Sequence, residues 1–328
     1  MADIPPLTFA PILKERIWGG RRLAEAFGKP IPERVPIGES WEITDRPEGV
    51  SVVASGPFAG RDLRWLMTHH GHDLLGRDPA PDERFPWLIK LLDCTDDLSL
   101  QVHPPTHKAA ALRGEPKTEM WYFADTRPGS RIYVGLRRGV TRDGFARKVS
   151  DGTVADCFHA HDTRPGDAMF VPSGRVHALG GGNLVFEIQQ NSDTTYRVFD
   201  WNRVGLDGKP RDLHLEPSME SIDFADFEPG LIDAAPQARS EVTVRELVRQ
   251  PLFDIDELRS AHGGGIPDPR RPGTPGVLGV VRGHMTVSGA AETVSVPAGG
   301  FVLLGASLRK PMLRADPGSV LLSVTPAA

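Results

Sequence analysis

Apolar residues in this chain gather in short β-branched runs cut apart by glycine and proline, a pattern that predicts many short strands rather than long helices. Strands are expected at 7–10 (LTFA), 50–54 (VSVVA), 87–93 (WLIKLLD), 98–103 (LSLQVH), 119–124 (EMWYFA), 131–134 (RIYV), 168–171 (AMFV) and 184–190 (LVFEIQQ). Helical spacing occurs in fewer places: 21–27, 61–75, 105–112 and 141–149, the last with Thr141 as N-cap. The segment 225–240, rich in proline and alanine, has no period and predicts a boundary. Beyond it only strands are expected, at 251–257, 276–282, 284–288, 301–304 and 319–324. The fold class is therefore mainly β with a few peripheral helices. Residues 1–238 are read as a larger body and 239–328 as a smaller C-terminal barrel or sandwich.

Composition narrows the function classes. The 328 residues exceed one average domain of roughly 150. Lys and Arg total 38 against 43 Asp and Glu, a formal charge of −5 without a basic block, which argues against nucleic acid as a partner. Two cysteines, Cys94 and Cys157, make no disulfide framework and fit a reducing compartment. No apolar run approaches the roughly 20 residues of a membrane span. Lys14, Glu15 and Arg16 fall where a signal peptide needs its apolar stretch. The expectation is a cytoplasmic protein with no membrane partner, and the oligomeric state is left open, a monomer being compatible.

Chemistry concentrates in three stretches. Gln101 and His103 stand two apart on an expected strand, so their side chains leave the same face and can reach one ion. A half-buried histidine bonding a neighbour explains Q-x-H equally well. Residues 166–177, GDAMFVPSGRVH, resemble the second motif of the cupin superfamily, G-x5-P-x-G-x2-H, with His177 aimed inward by the turn at Pro172 and Gly174. Glu119 opens the aromatic strand EMWYFA; alone it reads as a solvated strand end, and with Gln101, His103 and His177 it completes two nitrogens and two oxygens for a divalent ion. His69, His70 and His72 crowd one helix without an evident carboxylate partner and are expected in solvent, as is His107. His159 and His161 stay as an alternative pair.

QVHP at 101–104, KTEMWY at 117–122, PSGRVHALG at 172–180 and QQNSDTTYRVFDW at 189–201 together resemble the short type I mannose-6-phosphate isomerases, also called phosphomannose isomerases, a cupin branch. ILKERIWGG, IGESWEI and SGPFAGRDL extend the likeness, which runs in order from about residue 7 to 220. The resemblance implies jelly-roll barrels, the second degenerate, and interconversion of mannose 6-phosphate and fructose 6-phosphate through an enediol(ate). It implies one zinc ion per chain, or another divalent metal, on Gln101, His103, Glu119 and His177, and a catalytic arginine at Arg197. The chain departs from the family pattern at Pro116, Arg175 and Asn202; Arg175 either touches a phosphate or points outward.

An aldose–ketose isomerase must open a sugar ring and move a proton between neighbouring carbons, which needs a base near neutrality and stabilisation of the oxyanion. Lys117, two residues from Glu119, is the first candidate for the proton shuttle and Glu187 the second. Asp193 and Arg197, four apart across a turn, either pair only with each other or assist ring opening and hold oxyanion or phosphate charge. Lys90 interrupts WLIKLLD, where a buried lysine needs an anion, so it is read with Lys117 and Arg197 as a substrate contact. Trp18 and Trp41 either wall the pocket or are core. The alternatives are a cupin of other chemistry, such as an oxygenase or another sugar isomerase, and a non-catalytic metal-bearing binder of sugar phosphates.

Overall fold

The run WLIKLLD is apolar on both faces apart from Lys90 and the terminal Asp93, and it forms strand Trp87–Asp93 with every residue buried. A strand covered on both sides must lie within a sheet that has packing above and below it. The computed structural model, which describes residues 3–327, shows how this is arranged. Trp87–Asp93 sits inside a six-stranded sheet in the order 12–20, 37–43, 87–93, 183–190, 119–126, 168–171. A five-stranded sheet in the order 196–199, 100–102, 177–179, 131–136, 158–162 closes over it as the other half of the first barrel. The second barrel pairs a six-stranded sheet (237–239, 242–250, 253–260, 319–325, 276–282, 301–304) with a four-stranded one (264–266, 312–315, 284–289, 292–297). Pairing is antiparallel throughout the two barrels, as the expected jelly-roll class requires.

The alternation of side chains sorts the first large sheet into two cores. Ile89, Leu91, Met120, Phe186 and Ile188 point outward and join Phe253, Ile255, Phe301 and Leu322 of the second barrel in one apolar cluster. Leu92, Trp121, Phe123, Val185 and Met169 point inward against Ile132, Val134 and Leu179. Lys90 and Glu187, cross-strand partners, lie on that inner face, inside the barrel. Helices 142–150 and 215–221 cover the outer face of the five-stranded sheet through Phe145, Val102 and Val198. Thr141 caps the first of these as expected, its hydroxyl accepting from Gly144 N at 3.1 Å.

Several expectations are corrected. The stretches 7–10 and 50–54 make isolated bridges, Leu7 with Leu303 and Phe9 with Val53, because Pro5, Pro6 and Pro11 prevent a continuous ladder. The helix expected over 105–112 shortens to Thr106–Ala109. Strands Ile12–Gly20, Ile37–Ile43 and Val242–Gln250 were not expected: the first and third shift register, between Lys14 and Glu15 and between Glu246 and Val248, and such a bulge erases the two-residue period. Strand 237–239 straddles the division at 238/239, which we retain as a proposed division of the chain; the two parts share a core.

That shared core yields a measurable expectation. The Phe186 and Phe301 rings meet at 5.5 Å across the barrel interface. Phe301→Ala is expected to cost about 3–5 kcal/mol and to lower the unfolding midpoint reported by the six tryptophans, all at or before Trp201 in the first barrel. A tryptophan midpoint equal to that of the unmutated chain would show that the barrels unfold separately.

Candidate active site

The five-stranded sheet brings Gln101, His177 and Arg197 into line, since Gln101 pairs with His177 on one side and with Arg197 on the other. The facing sheet presents Glu119, the first residue of its strand. His103, Glu119 and His177 are fully buried, and their donor atoms all lie within 4.8 Å of one another. His103 Nε2 is 3.6 Å from Glu119 Oε2, and His177 Nε2 is 3.5 Å from Oε1. The Gln101 amide reaches His177 Nε2 at 3.2 Å; exchanging the amide O and N, which are nearly isosteric, turns its oxygen to the same point.

Second contacts fix these ligands. His103 Nδ1–H donates to Thr194 O at 2.7 Å, and His177 Nδ1–H donates to Arg175 O at 2.9 Å. Each imidazole therefore turns an Nε2 lone pair toward the cluster. Burial pushes both imidazoles below their usual range, His177 to about 3, which keeps them neutral and able to ligate. Burial alone would raise Glu119, but the Lys117 ammonium and the imidazoles outweigh it and hold the carboxylate well below the usual range. Neither Glu119 oxygen has a hydrogen-bond donor, although Lys117 Nζ stands 2.6 Å from Oε2 as a charge contact. Lys117 supplies one positive charge, and lone pairs on both buried carboxylate oxygens remain open to a further cation. Ligands at about 2.05 Å from a tetrahedral ion stand about 3.3 Å apart, close to the separations observed, so the donor set fits a divalent metal.

Gln101 and Lys117, which touch the cluster, line a cavity of about 610 Å³; His103, Glu119 and His177 are not part of its lining. On one wall Lys90 Nζ lies 3.4 Å from Glu187, 3.3 Å from Asp193 and 3.9 Å from Glu39. Lys90 thus meets anions as expected, and they are the chain's own carboxylates. They overcome the effect of burial and raise its pKa. Burial pushes the Glu187 carboxyl up, while Trp121 Nε1 donates to it at 3.1 Å. Asp193 and Arg197 do not pair: Asp193 turns to Lys90, and Arg197 Nη1 donates to Asp212 O at 2.7 Å. Lys117, Glu187, Asp193 and Arg197 all line the same cavity.

Other candidates fall elsewhere. Arg175 points away from the cavity into a two-bond pair with Asp226, both at 2.8 Å. His70 and His72 do have carboxylate partners, Asp73 and Asp78, on a surface helix, and His107 is exposed. His159 and His161 face each other at 3.2 Å on an edge strand, where His161 Nε2 is already taken by Pro229 O at 2.6 Å. Trp18 lines the cavity, while Trp41 is buried and donates to Glu39 at 2.7 Å. Glu39 itself was missed: Arg16 bonds it at 2.7 Å, and Lys90 and Arg16 together hold it at about 2 despite burial. Its i, i+2 spacing to Trp41 in IGESWEI was the available signal.

Known proteins share this architecture. Residues 7–134 match the family model of the phosphomannose isomerase type I catalytic domain. The chain is 43% identical over 220 residues to the mannose-6-phosphate isomerase ManA of Bacillus subtilis, covering 66% of this chain and 68% of that one. It is 35% identical over 251 residues to a mannose-6-phosphate isomerase of Streptococcus mutans, covering 76% and 77%. The crystal structure of a B. subtilis mannose 6-phosphate isomerase superposes with a TM-score of 0.86 at 29% identity, over 98% of this chain and 99% of the other. With relatives this similar over more than two thirds of their length, a buried His–Glu–His cluster in the expected place, and the same fold, the chain belongs to the type I phosphomannose isomerase family.

Proposed function

We propose that this protein interconverts mannose 6-phosphate and fructose 6-phosphate at one zinc ion held by Gln101, His103, Glu119 and His177. The observation that carries the reading is the fully buried His103–Glu119–His177 cluster beside a cavity lined by Gln101, Lys117, Glu187, Asp193 and Arg197. When bound, a divalent ion supplies Lewis-acid polarisation of sugar oxygens. The remaining work falls to the chain. Lys117 and Glu187 stand on the same inner face and move the proton between C1 and C2. Glu187, raised by burial, holds and gives up a proton closer to neutrality than an exposed carboxyl does. Asp193, partly exposed beside Lys90, accepts the hydroxyl proton as the ring opens. Arg197 holds anionic charge with its planar fork. Lys90 we assign to fixing Glu187 and Asp193, because a phosphate placed there would meet three carboxylates.

The direct test is a coupled assay for fructose 6-phosphate from mannose 6-phosphate with zinc, cobalt or manganese; no turnover with any of them overturns the reading and favours a non-catalytic binder. His177→Ala is expected to lose bound metal and activity together, and stoichiometric metal in the folded variant would remove His177 from the ligand set. Arg197→Ala should keep its metal while kcat falls by about 10²–10³, a value that unchanged kinetics would refute. Glu187→Gln is expected to lower kcat by about 10²–10⁴ with metal retained, and a variant as fast as the parent would assign proton movement to Lys117 alone.

A further inference from the structure

We propose that Arg211, acting beside Arg197, grips the phosphate of the substrate and is the residue that makes the site specific for phosphorylated sugars. The inference deepens the isomerase reading and rests on it. It starts from an imbalance of charge within the cavity. On the wall of Lys90, each cation has carboxylates in contact: Arg16 has Glu39, and Lys90 has Glu39, Glu187 and Asp193. Arg197 and Arg211 also line the cavity, and there the arginines outnumber the carboxylates that pair with them among the described residues. Asp200 alone is shared there between Arg203, at 3.1 Å, and Arg211, whose Nε donates to it at 2.7 Å and whose Nη2 also reaches it.

Arg197 is left short of anions. Its Nη1 meets only a backbone carbonyl, and its Nε is buried with no acceptor. Burial and the neighbouring Arg211 charge pull its pKa down, whereas the carboxylate-paired Arg16 is raised. Arg211 keeps Nη1 without a protein partner among the described residues. Two guanidiniums side by side with unused donors are suited to a dianion, which a phosphate ester supplies and a sugar hydroxyl does not.

The position of Arg211 is built into the fold. Trp201 and Asn202 both take left-handed φ of 55°, and the Trp201 indole donates to Leu98 O at 2.8 Å, which pins the loop start to the barrel. A Val204–Pro210 bridge and Gly205 N donating to Lys209 O at 2.7 Å close the loop. Asp207, the carboxylate that this loop adds to the wall, is turned back to accept from Lys209 N. Asp200 then holds one edge of the Arg211 fork and leaves the other for ligand.

The test uses the metal-loaded protein and its R211Q variant. R211Q should raise KM for mannose 6-phosphate and Ki for inorganic phosphate by about tenfold or more, with a smaller change in kcat. KM for unphosphorylated mannose should not rise in step. KM and Ki equal to those of the parent, or a loss confined to kcat, would overturn the assignment. If R211Q loses its metal or its cooperative melt, R211K decides: it keeps the charge without the fork, and KM and Ki should each rise about threefold or more, unchanged values overturning the proposal. The melting shift with inorganic phosphate separates this inference from the isomerase reading because it needs no turnover. A shift in the parent that R211Q lacks supports the phosphate grip even if mannose 6-phosphate is not converted. Conversion with a phosphate shift equal in parent and R211Q overturns the grip and leaves the isomerase standing.

Discussion

The constraint on which the structure depends is the ionised Glu119 carboxylate, closed off from water inside the first barrel with no hydrogen-bond donor on either oxygen. Leaving an isolated charge in such a place costs several kcal/mol even after relaxation. The Lys117 ammonium on the same strand face meets part of that demand. Both imidazoles are tied at Nδ1 to backbone carbonyls, so they turn lone pairs rather than protons toward the carboxylate, and one ammonium is left facing three electron-rich groups. A dication can match all three, and this is why burial and metal affinity belong together at this point.

The same logic explains why the inner face is polar inside an otherwise apolar sandwich. Lys90 and Glu187 are cross-strand partners at the centre of the large sheet, where two buried charges persist only as neighbours. Glu39 and Asp193 extend the contact into a row that leaves Lys90 outnumbered. Burial first, and then the neighbouring Glu119 and Glu39 carboxylates against the pull of Lys117 and Lys90, keep the proton affinity of Glu187 high, which is the property an acid–base group needs. The outer face of the sheet is mainly apolar and packs on the second barrel.

Much of this was legible in the sequence. WLIKLLD, AMFV and FVLL gave strands with the observed ends because apolar runs bounded by proline and glycine leave little choice. His103, Glu119 and His177 were found because their motifs are local: each lies in a short stretch whose spacing dictates its direction. Glu39 and Arg211 were not, because their importance depends on what faces them across the barrel. Arg211 sits in GKPRDLH, an irregular loop with no period to give its side chain a direction. The strands hidden by bulges at Lys14–Glu15 and Glu246–Val248 were lost for the related reason that one extra residue reverses the in–out pattern.

The charge layout also gives the cavity a direction. On the proposed reading, an anionic substrate entering a pocket with carboxylates about Lys90 and guanidinium donors left open on Arg197 and Arg211 has one favourable orientation, its phosphate toward the arginines. Its carbonyl end is then left toward Lys117 and Gln101, which touch the ligand cluster. Reversing the sugar would bring a dianion against Glu39, Glu187 and Asp193 and would leave Arg197 buried with unused donors, so both halves of the exchange are unfavourable. Orientation is thereby decided before any contact with C1 or C2 is made. The acid–base groups need only be accurate over the short distance that remains, which the rigid cross-strand pairing of Glu187 with Lys90 and Trp121 provides.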